Sequence, residues 1–440
     1  LDKPYEMSKL RYKGLWALWL VLFAPAFMWA GDKDGLGPYG RRIVAGEFLV
    51  KMREDLILPQ SAGGKLSFLS STHKVAGTKL KQTYSTFPNL ALVALDEDGS
   101  LESAIAAYKK SGLVERVSYN YIRTASVLPN DPLLGDGKQW GIDNAGQLGG
   151  IGGSDVSAEE AWEIANDASE VLVAVLDSGI RYTHEDLAAN MWVNSGEIAG
   201  NGLDDDNNGY VDDVHGINTV GVNGERTPET EGDPMDDLGH GTHVAGIVGA
   251  VGNNGVGITG VAWNVKLMGL KFLDSQGEGS DADAIECINY AREQGAHIIN
   301  SSWGGLDFNP LLGDAIEEAN EAGIYFVAAA GNESSNNDDQ PNYPSSYAYP
   351  NVVSVTATDK RDGFATFANY GETEVELAAP GVGIHSTYFS SDTSYRALSG
   401  TSMATPFVSG AIALLLTQFP EEPMASILNR LFSSTDTLES

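Results

Sequence analysis

Ser402 stands among small residues in Gly400-Thr401-Ser402-Met403-Ala404-Thr405-Pro406, at the mouth of an apolar run from Phe407 to Leu416. The pattern predicts a hydroxyl held at the N-terminus of a buried helix, with Pro406 in the first turn, where a missing N–H costs nothing. The unpaired N–H groups and positive dipole end of such a helix suit a developing negative charge. A Gly-Thr-Ser tripeptide is common, so the reading depends on partners. A nucleophilic serine needs a base, a carboxylate to orient that base, and a donor for the oxyanion.

Three stretches offer them. The apolar run Val171–Leu176 ends in Asp177-Ser178-Gly179, which is either a carboxylate at a strand's carboxyl end or an ordinary turn. Asp237-Leu238-Gly239-His240-Gly241-Thr242-His243 puts two histidines at a glycine-rich helix start. His240 precedes the apolar run, where a ring can face a cleft. His243 lies one turn further in, where a core or cap hydrogen bond is the better expectation. Ile324–Ala329 runs into Ala330-Gly331-Asn332-Glu333, so Asn332 is either an amide donor at a third strand end or a left-handed turn residue. The four come in the order Asp, His, Asn, Ser. Three unrelated hydrolase folds carry the same triad in different orders, and Asp…His…Ser is the subtilisin order.

Short apolar strands alternating with helices must position these groups. A capping box, Ser157-Ala158-Glu159-Glu160, predicts a helix through Ala165. Strands are expected at 171–176, 265–272, 296–299, 324–329, 352–357 and 375–379, with helices over 280–294 and 310–322. The pattern implies an α/β fold, doubly wound around a mostly parallel sheet covered on both faces. Functional residues in such sheets gather at the carboxyl ends of the strands. Ahead of it, strands at 47–52, 78–84, 89–95 and 113–122 and helices at 61–71 and 100–111 spell βαββαβ, a small ferredoxin-like α+β unit. Residues 124–139 read as a linker.

The chain has 440 residues, 42% of them hydrophobic, and a net charge of −33, distributed as +5 over residues 1–125 and −38 over residues 126–440. So sharp a split suggests two units with different tasks and speaks against nucleic-acid binding by the larger one. The one cysteine, Cys287, excludes an intrachain disulfide and lies at helical spacing among small and apolar residues, as a buried structural thiol would. Residues 7–30 read as a signal peptide, with Lys9, Arg11 and Lys13 ahead of an apolar stretch too short for a membrane anchor. Secretion is therefore expected, with no membrane span in the mature form. Residues 1–6 read as upstream sequence or a fragment edge, and the end at Ser440 as a truncation.

Over residues 129–440 the three motif blocks, 173–184, 240–246 and 400–410, resemble the subtilisin-family serine peptidases, closest to the thermitase-like branch. The resemblance selects His240 over His243 as base. It implies Ser402 as nucleophile, Asp177 as the group orienting His240, and Asn332 with the Ser402 N–H as oxyanion donors. Ser302, Trp303 and Gly304 would pair with an extended substrate, and with Ala329, Ala330 and Gly331 would wall the specificity pocket, Asn342 closing its far end. Broad specificity with an apolar or aromatic preference is expected. Residues 42–123 resemble the family's inhibitor-type propeptides, making the front unit an intramolecular inhibitor removed by self-cleavage within 123–131. The other expected partners are protein and peptide substrates, and the enzyme is expected to be monomeric.

Calcium is the expected cofactor, in a structural role at two places. Asp204, Asp206, Asn208, Tyr210 and Asp212 lie at alternate positions around Gly209, as a loop wrapping a hard cation requires, but without the terminal glutamate of a helix-loop-helix sensor. The second set is implied by the resemblance: Asp131, Asp186 and the Asn254 side chain, with the carbonyls of Val251, Val256 and Ile258. A catalytically silent binding module on the same fold would be expected to lack one of the triad residues, and none is missing. A dedicated processing protease would instead act poorly on generic substrates.

Overall fold

A computed structural model describes residues 43–53, 73–74, 76–84, 86–87, 89–96, 100–122, 128–220 and 226–436. The expected signal segment (7–30), the helix over 61–71 and part of the linker lie outside them. The chain divides into two compact units, Leu1–Ala125 and Ser126–Ser440.

In the front unit, β1 (Ile43–Met52), β2 (Thr78–Thr83), β3 (Leu90–Leu95) and β4 (Val114–Tyr121) form one antiparallel sheet in the order β2-β3-β1-β4. Helix α1 (Leu101–Lys110) starts where Ser100 accepts the Ser103 N–H, and it buries Leu101, Ala104, Ile105 and Tyr108 at the expected helical spacing.

In the second unit seven strands form one sheet, and all its pairings are parallel. They are β5 (Asp167–Asp177), β6 (Gly216–Asn218), β7 (Asn264–Lys271), β8 (Ile298–Ser301), β9 (Tyr325–Ala329), β10 (Val352–Thr358) and β11 (Leu377–Pro380), in the order β11-β10-β9-β8-β5-β7-β6. Ile384–Tyr388 and Ser394–Leu398 add an antiparallel hairpin, β12–β13. Among the described residues of this unit the α-helices of five residues or more are α2 (Ala158–Trp162), α3 (His240–Gly249), α4 (Asp281–Glu293), α5 (Pro310–Glu321), α6 (Thr401–Gln418) and α7 (Met424–Ser433).

Strand periodicity explains why β5 is apolar without a break from Val171 to Leu176. Val171, Val173 and Val175 join one core with residues of α3 and α6, whereas Leu172, Ala174 and Leu176 join the opposite core with α4 and α5. From β5 the chain goes out to the edge strand β6 and back to β7 between them, then crosses to β8 and winds outward to β11, so the order reverses between β5 and β8. That is where a parallel sheet opens a crevice at its carboxyl edge. The expected doubly wound fold is the one observed.

Two local expectations fail. The helix expected from Ser157 to Ala165 is only Ala158–Trp162, and Ser157 is left-handed (φ 52°) with no side-chain cap. Asp155 takes over, accepting the Ser157 N–H at 2.7 Å. Pro406 is not in the first turn of α6 but lies inside a helix that begins at Thr401. Cys287 is fully buried, with its thiol pushed well above its ordinary range by that burial.

Candidate active site

The fully buried Asp177 closes β5, and its Oδ1 accepts the Ser178 N–H at 2.7 Å. Helix α3 begins against this turn, which requires glycine. A Cβ on Gly241 would sit 2.2 Å from the Gly179 carbonyl oxygen, and Gly239 before it has φ +101°. His240 is thereby brought to Asp177, with Nδ1 at 2.8 and 2.9 Å from the two carboxylate oxygens. The proton between them belongs on Nδ1, leaving Nε2 as the basic face of the neutral ring.

Asp236, which the motif reading passed over, clamps the helix start. Its carboxylate accepts the N–H groups of Leu238, Gly239 and Thr242 and the hydroxyls of Thr242 and Ser178. Its signal was an acidic residue just ahead of a glycine-rich helix start, where backbone N–H groups lack partners. Burial alone would lower the His240 pKa, but the charge and hydrogen bond of Asp177, with the charge of Asp236, outweigh it and leave the pKa raised. His243 behaves oppositely. Its buried Nε2 lies 3.0 Å from the carbonyls of both Ile384 and Arg396, tying α3 to the β12–β13 hairpin, and burial pushes its pKa down to about 3.

Ser402 lies in the first turn of α6, and its Oγ donates to the Ser302 carbonyl at 2.9 Å. Among the described residues no hydrogen bond joins that hydroxyl to His240. Asn332 follows β9, and its Oδ1 accepts both the Thr401 N–H (2.9 Å) and the Thr401 hydroxyl (3.2 Å). With Oδ1 so occupied, the Nδ2 donor is the atom left to face the cleft. Thr401, also passed over in the sequence, is the residue that turns the amide this way.

Ser302, Trp303 and Gly304 continue directly from β8, and Ala329, Ala330 and Gly331 finish and follow β9. Gly305 and Tyr343 exchange two backbone hydrogen bonds, at 2.8 and 2.7 Å, which draws Asn342 beside these segments. A Cβ on Gly304 would meet Asn342 Oδ1 at 2.2 Å, and one on Gly331 would meet its Nδ2 at 2.9 Å. The seven residues expected around the pocket are therefore gathered. Glu333, though exposed, has its Oε2 engaged by the Asn332 N–H and the Asn369 amide.

The two expected cation sites fare differently. Asp131, Asp186 and Asn254 converge. Asp131 accepts the Asn253 N–H at 2.7 Å, while Asp186 accepts the Asn254 amide (2.8 Å), the Ile258 N–H (2.9 Å) and the Tyr395 hydroxyl (3.2 Å). The Val251 N–H donates to the Asp186 carbonyl, and Val256 N–H to Asn254 Oδ1, so all six residues share one locality. Burial, with the charge of Asp131 adding to it, pushes the Asp186 carboxyl up to about 6.

In the 197–213 loop the structure gathers a different set. Glu197, Asp206 and Asp213 bring carboxylate oxygens within 4.8 Å of one another, with Asn208 bound to both Asp206 and Asp213. Asp212 is turned away to cap Asn201 and Gly202, and Asp204 accepts from Asn208 and Gly209. Tyr210 sends its hydroxyl to Glu286. Spacing alone could not show that Asp213 points inward, or that Glu197 returns to the loop from before it.

The model of the Subtilase family matches residues 168–437. The chain belongs to the subtilase family. This subtilase is 33% identical over 375 residues to a thermophilic serine proteinase of Bacillus sp. (strain AK1), covering 85% of this chain and 79% of that one. It is 36% identical over 290 residues to thermitase of Thermoactinomyces vulgaris, covering 66% and 86%. A crystal structure of a cold adapted subtilisin-like serine proteinase matches 67% of this chain and 90% of its own, at 28% identity and a TM-score of 0.50. The subtilase is thus a serine endopeptidase, a hydrolase of peptide bonds. No helix among its described residues is long and apolar enough to cross a membrane.

Proposed function

We propose that this subtilase cleaves peptide bonds with Ser402 as nucleophile, His240 as general base and then acid, and Asp177 as the group that fixes the His240 tautomer and stabilises its charged form. The observation that carries the reading is the double contact of His240 Nδ1 with a carboxylate buried at the end of β5. Attack requires the Ser402 hydroxyl to leave the Ser302 carbonyl and turn to Nε2, a side-chain rotation of a kind free enzymes often need. The oxyanion would be held by the Ser402 N–H and Asn332 Nδ2. Hydrolysis of casein that a serine-directed phosphonylating reagent leaves untouched would sink the assignment, and no hydrolysis at all would favour a binding module. Asn332→Ala is expected to lower kcat by about 10²–10³ with KM little changed, a size taken over from subtilisin, where it was established.

The front unit acts as an inhibitory propeptide of a secreted zymogen. Its separate fold and its charge, +3 over residues 42–123 against −38 over residues 126–440, support this, since opposite fields favour association. Specificity is broad, with apolar or aromatic side chains preferred, as suits walls of glycine and alanine. A matched peptide series cut mainly after acidic residues would overturn that preference.

Calcium fits both acidic loci. Asp131, Asp186 and Asn254 with nearby carbonyls offer the all-oxygen set a hard cation takes, and Glu197, Asp206, Asp213 and Asn208 offer a second. The ion would supply charge compensation and a fold constraint, not chemistry. Binding at saturation is worth about 4 kcal/mol at a thousandfold excess over Kd. Chelation is therefore expected to lower Tm by roughly 10 °C, and calcium, not magnesium, to restore it. A thermal melt unmoved by chelator would count against both sites.

A further inference from the structure

Pro406 has no N–H, so the carbonyl of Ser402, four residues before it, lacks its helical partner. That carbonyl belongs to the residue assigned as nucleophile, and it is not left bare. Ser302 Oγ donates to it at 3.0 Å. Ser302 Oγ in turn accepts Asn300 Nδ2 at 2.9 Å, and Asn300 Oδ1 accepts Ser409 Oγ at 2.8 Å. Asn300 and Ser409 are fully buried.

The direction of this chain is fixed by its members' chemistry. Ser409 occupies the amide oxygen, which aims the amide N–H₂ at Ser302, and that leaves Ser302's single proton for the Ser402 carbonyl. Ser409 lies two helical turns beyond Ser402 on the same face of α6. Asn300 is a fully buried amide within β8, a placement that is costly unless both ends of the amide are used. The Ser402 hydroxyl also donates to the Ser302 carbonyl, so nucleophile and substrate-pairing segment hold each other through two bonds.

We infer that Asn300 and Ser409 are positioning residues for peptide hydrolysis: they orient Ser302 so that its hydroxyl replaces the helical bond Pro406 cannot make, holding the Ser402 backbone in register with the substrate-pairing segment. Neither touches substrate. Their effect is on the placement of the nucleophile and its N–H, where a displacement of about 1 Å can cost as much as 10²-fold.

This inference rests on Ser402 being the nucleophile, and the two readings fail separately. Ser402→Ala retaining activity removes the first. The second is tested by Ser409→Ala, a change that favours helix and leaves Asn300 free to turn. Rates are to be counted per active site, titrated with a phosphonylating reagent. The expected result is kcat lowered about tenfold, KM within about twofold, and a Ser302→Ala/Ser409→Ala double variant no slower than Ser302→Ala alone, because a relay acts as a unit. A merely structural role would reduce the titratable fraction and Tm while kcat per titrated site stayed at the wild-type value, and that result would overturn the inference. So would additive losses in the double variant. Should Ser409→Ala not accumulate as folded protein, Asn300→Ser in the same titrated assay decides by the same kcat and KM criteria.

Discussion

Ser402→Ala is expected to lower turnover of a peptide substrate by about 10⁶-fold, a loss known for subtilisin itself, and to leave the precursor uncut. The change is small in structural terms. The Ser402 side chain makes one hydrogen bond, to the Ser302 carbonyl, and alanine is favoured in a helix. The variant should therefore fold, with its loss confined to chemistry. Two measurements separate its two claims. Turnover per mole of purified chain reads the nucleophile, and a variant within tenfold of wild type would exclude it. Mass of the secreted product reads self-processing. Maturation to the normal mass in the inactive variant would show that another protease removes the front unit, without touching the assignment of Ser402.

For Asp177→Asn the expected loss is about 10⁴-fold, the size found when a triad carboxylate is neutralised and the imidazole adopts the wrong tautomer. The pH profile carries a second prediction. His240 must be neutral to act as base, so kcat/KM rises with pH through its pKa, which lies above the ordinary 6.5 in the wild type. Without the Asp177 charge, burial pulls the pKa down against Asp236 alone, and the acid limb moves to lower pH. A profile identical to wild type would sink this account. The sign for stability is opposite to that for activity. A histidine whose pKa is raised by folding contributes stability that is fully present below about 6.5 and is lost as pH rises through the raised value. The fold is thus helped by the protonated form that cannot act as base.

The parts of the site legible in the sequence were those where a local pattern decides. Apolar runs marked the strands, and a residue following a run sits at its carboxyl end. That put Asp177 at the end of β5, Ser302 just after β8 and Asn332 three residues after β9. Spacing could also separate His240 from His243, because one precedes the buried face of α3 and the other lies on it. What stayed hidden were groups whose role depends on partners distant in sequence. Thr401 matters because Asn332 meets it, and Asp213 because Asn194 and Tyr290 surround it. Ser157 shows the same limit at short range. Its capping box was correct in letters, but Asp155 claimed its N–H and no side-chain cap formed. Pro406 was read as a helix starter when it is an interior residue, and the difference turned a harmless missing N–H into an orphaned carbonyl.

The strand order that opens the crevice also sets when it can open. Asp177 meets His240 across 63 residues, Ser302 meets Ser402 across 100, and Asn332 meets Thr401 across 69. Each closure costs chain entropy before any contact returns it, and parallel pairing places most of that cost ahead of the gain. Cutting power is therefore among the last properties this chain acquires as it matures from coil to native state. Partly ordered chains hold only scattered fragments of the machinery, so a newly made population is largely protected from digesting itself while it is still open to attack.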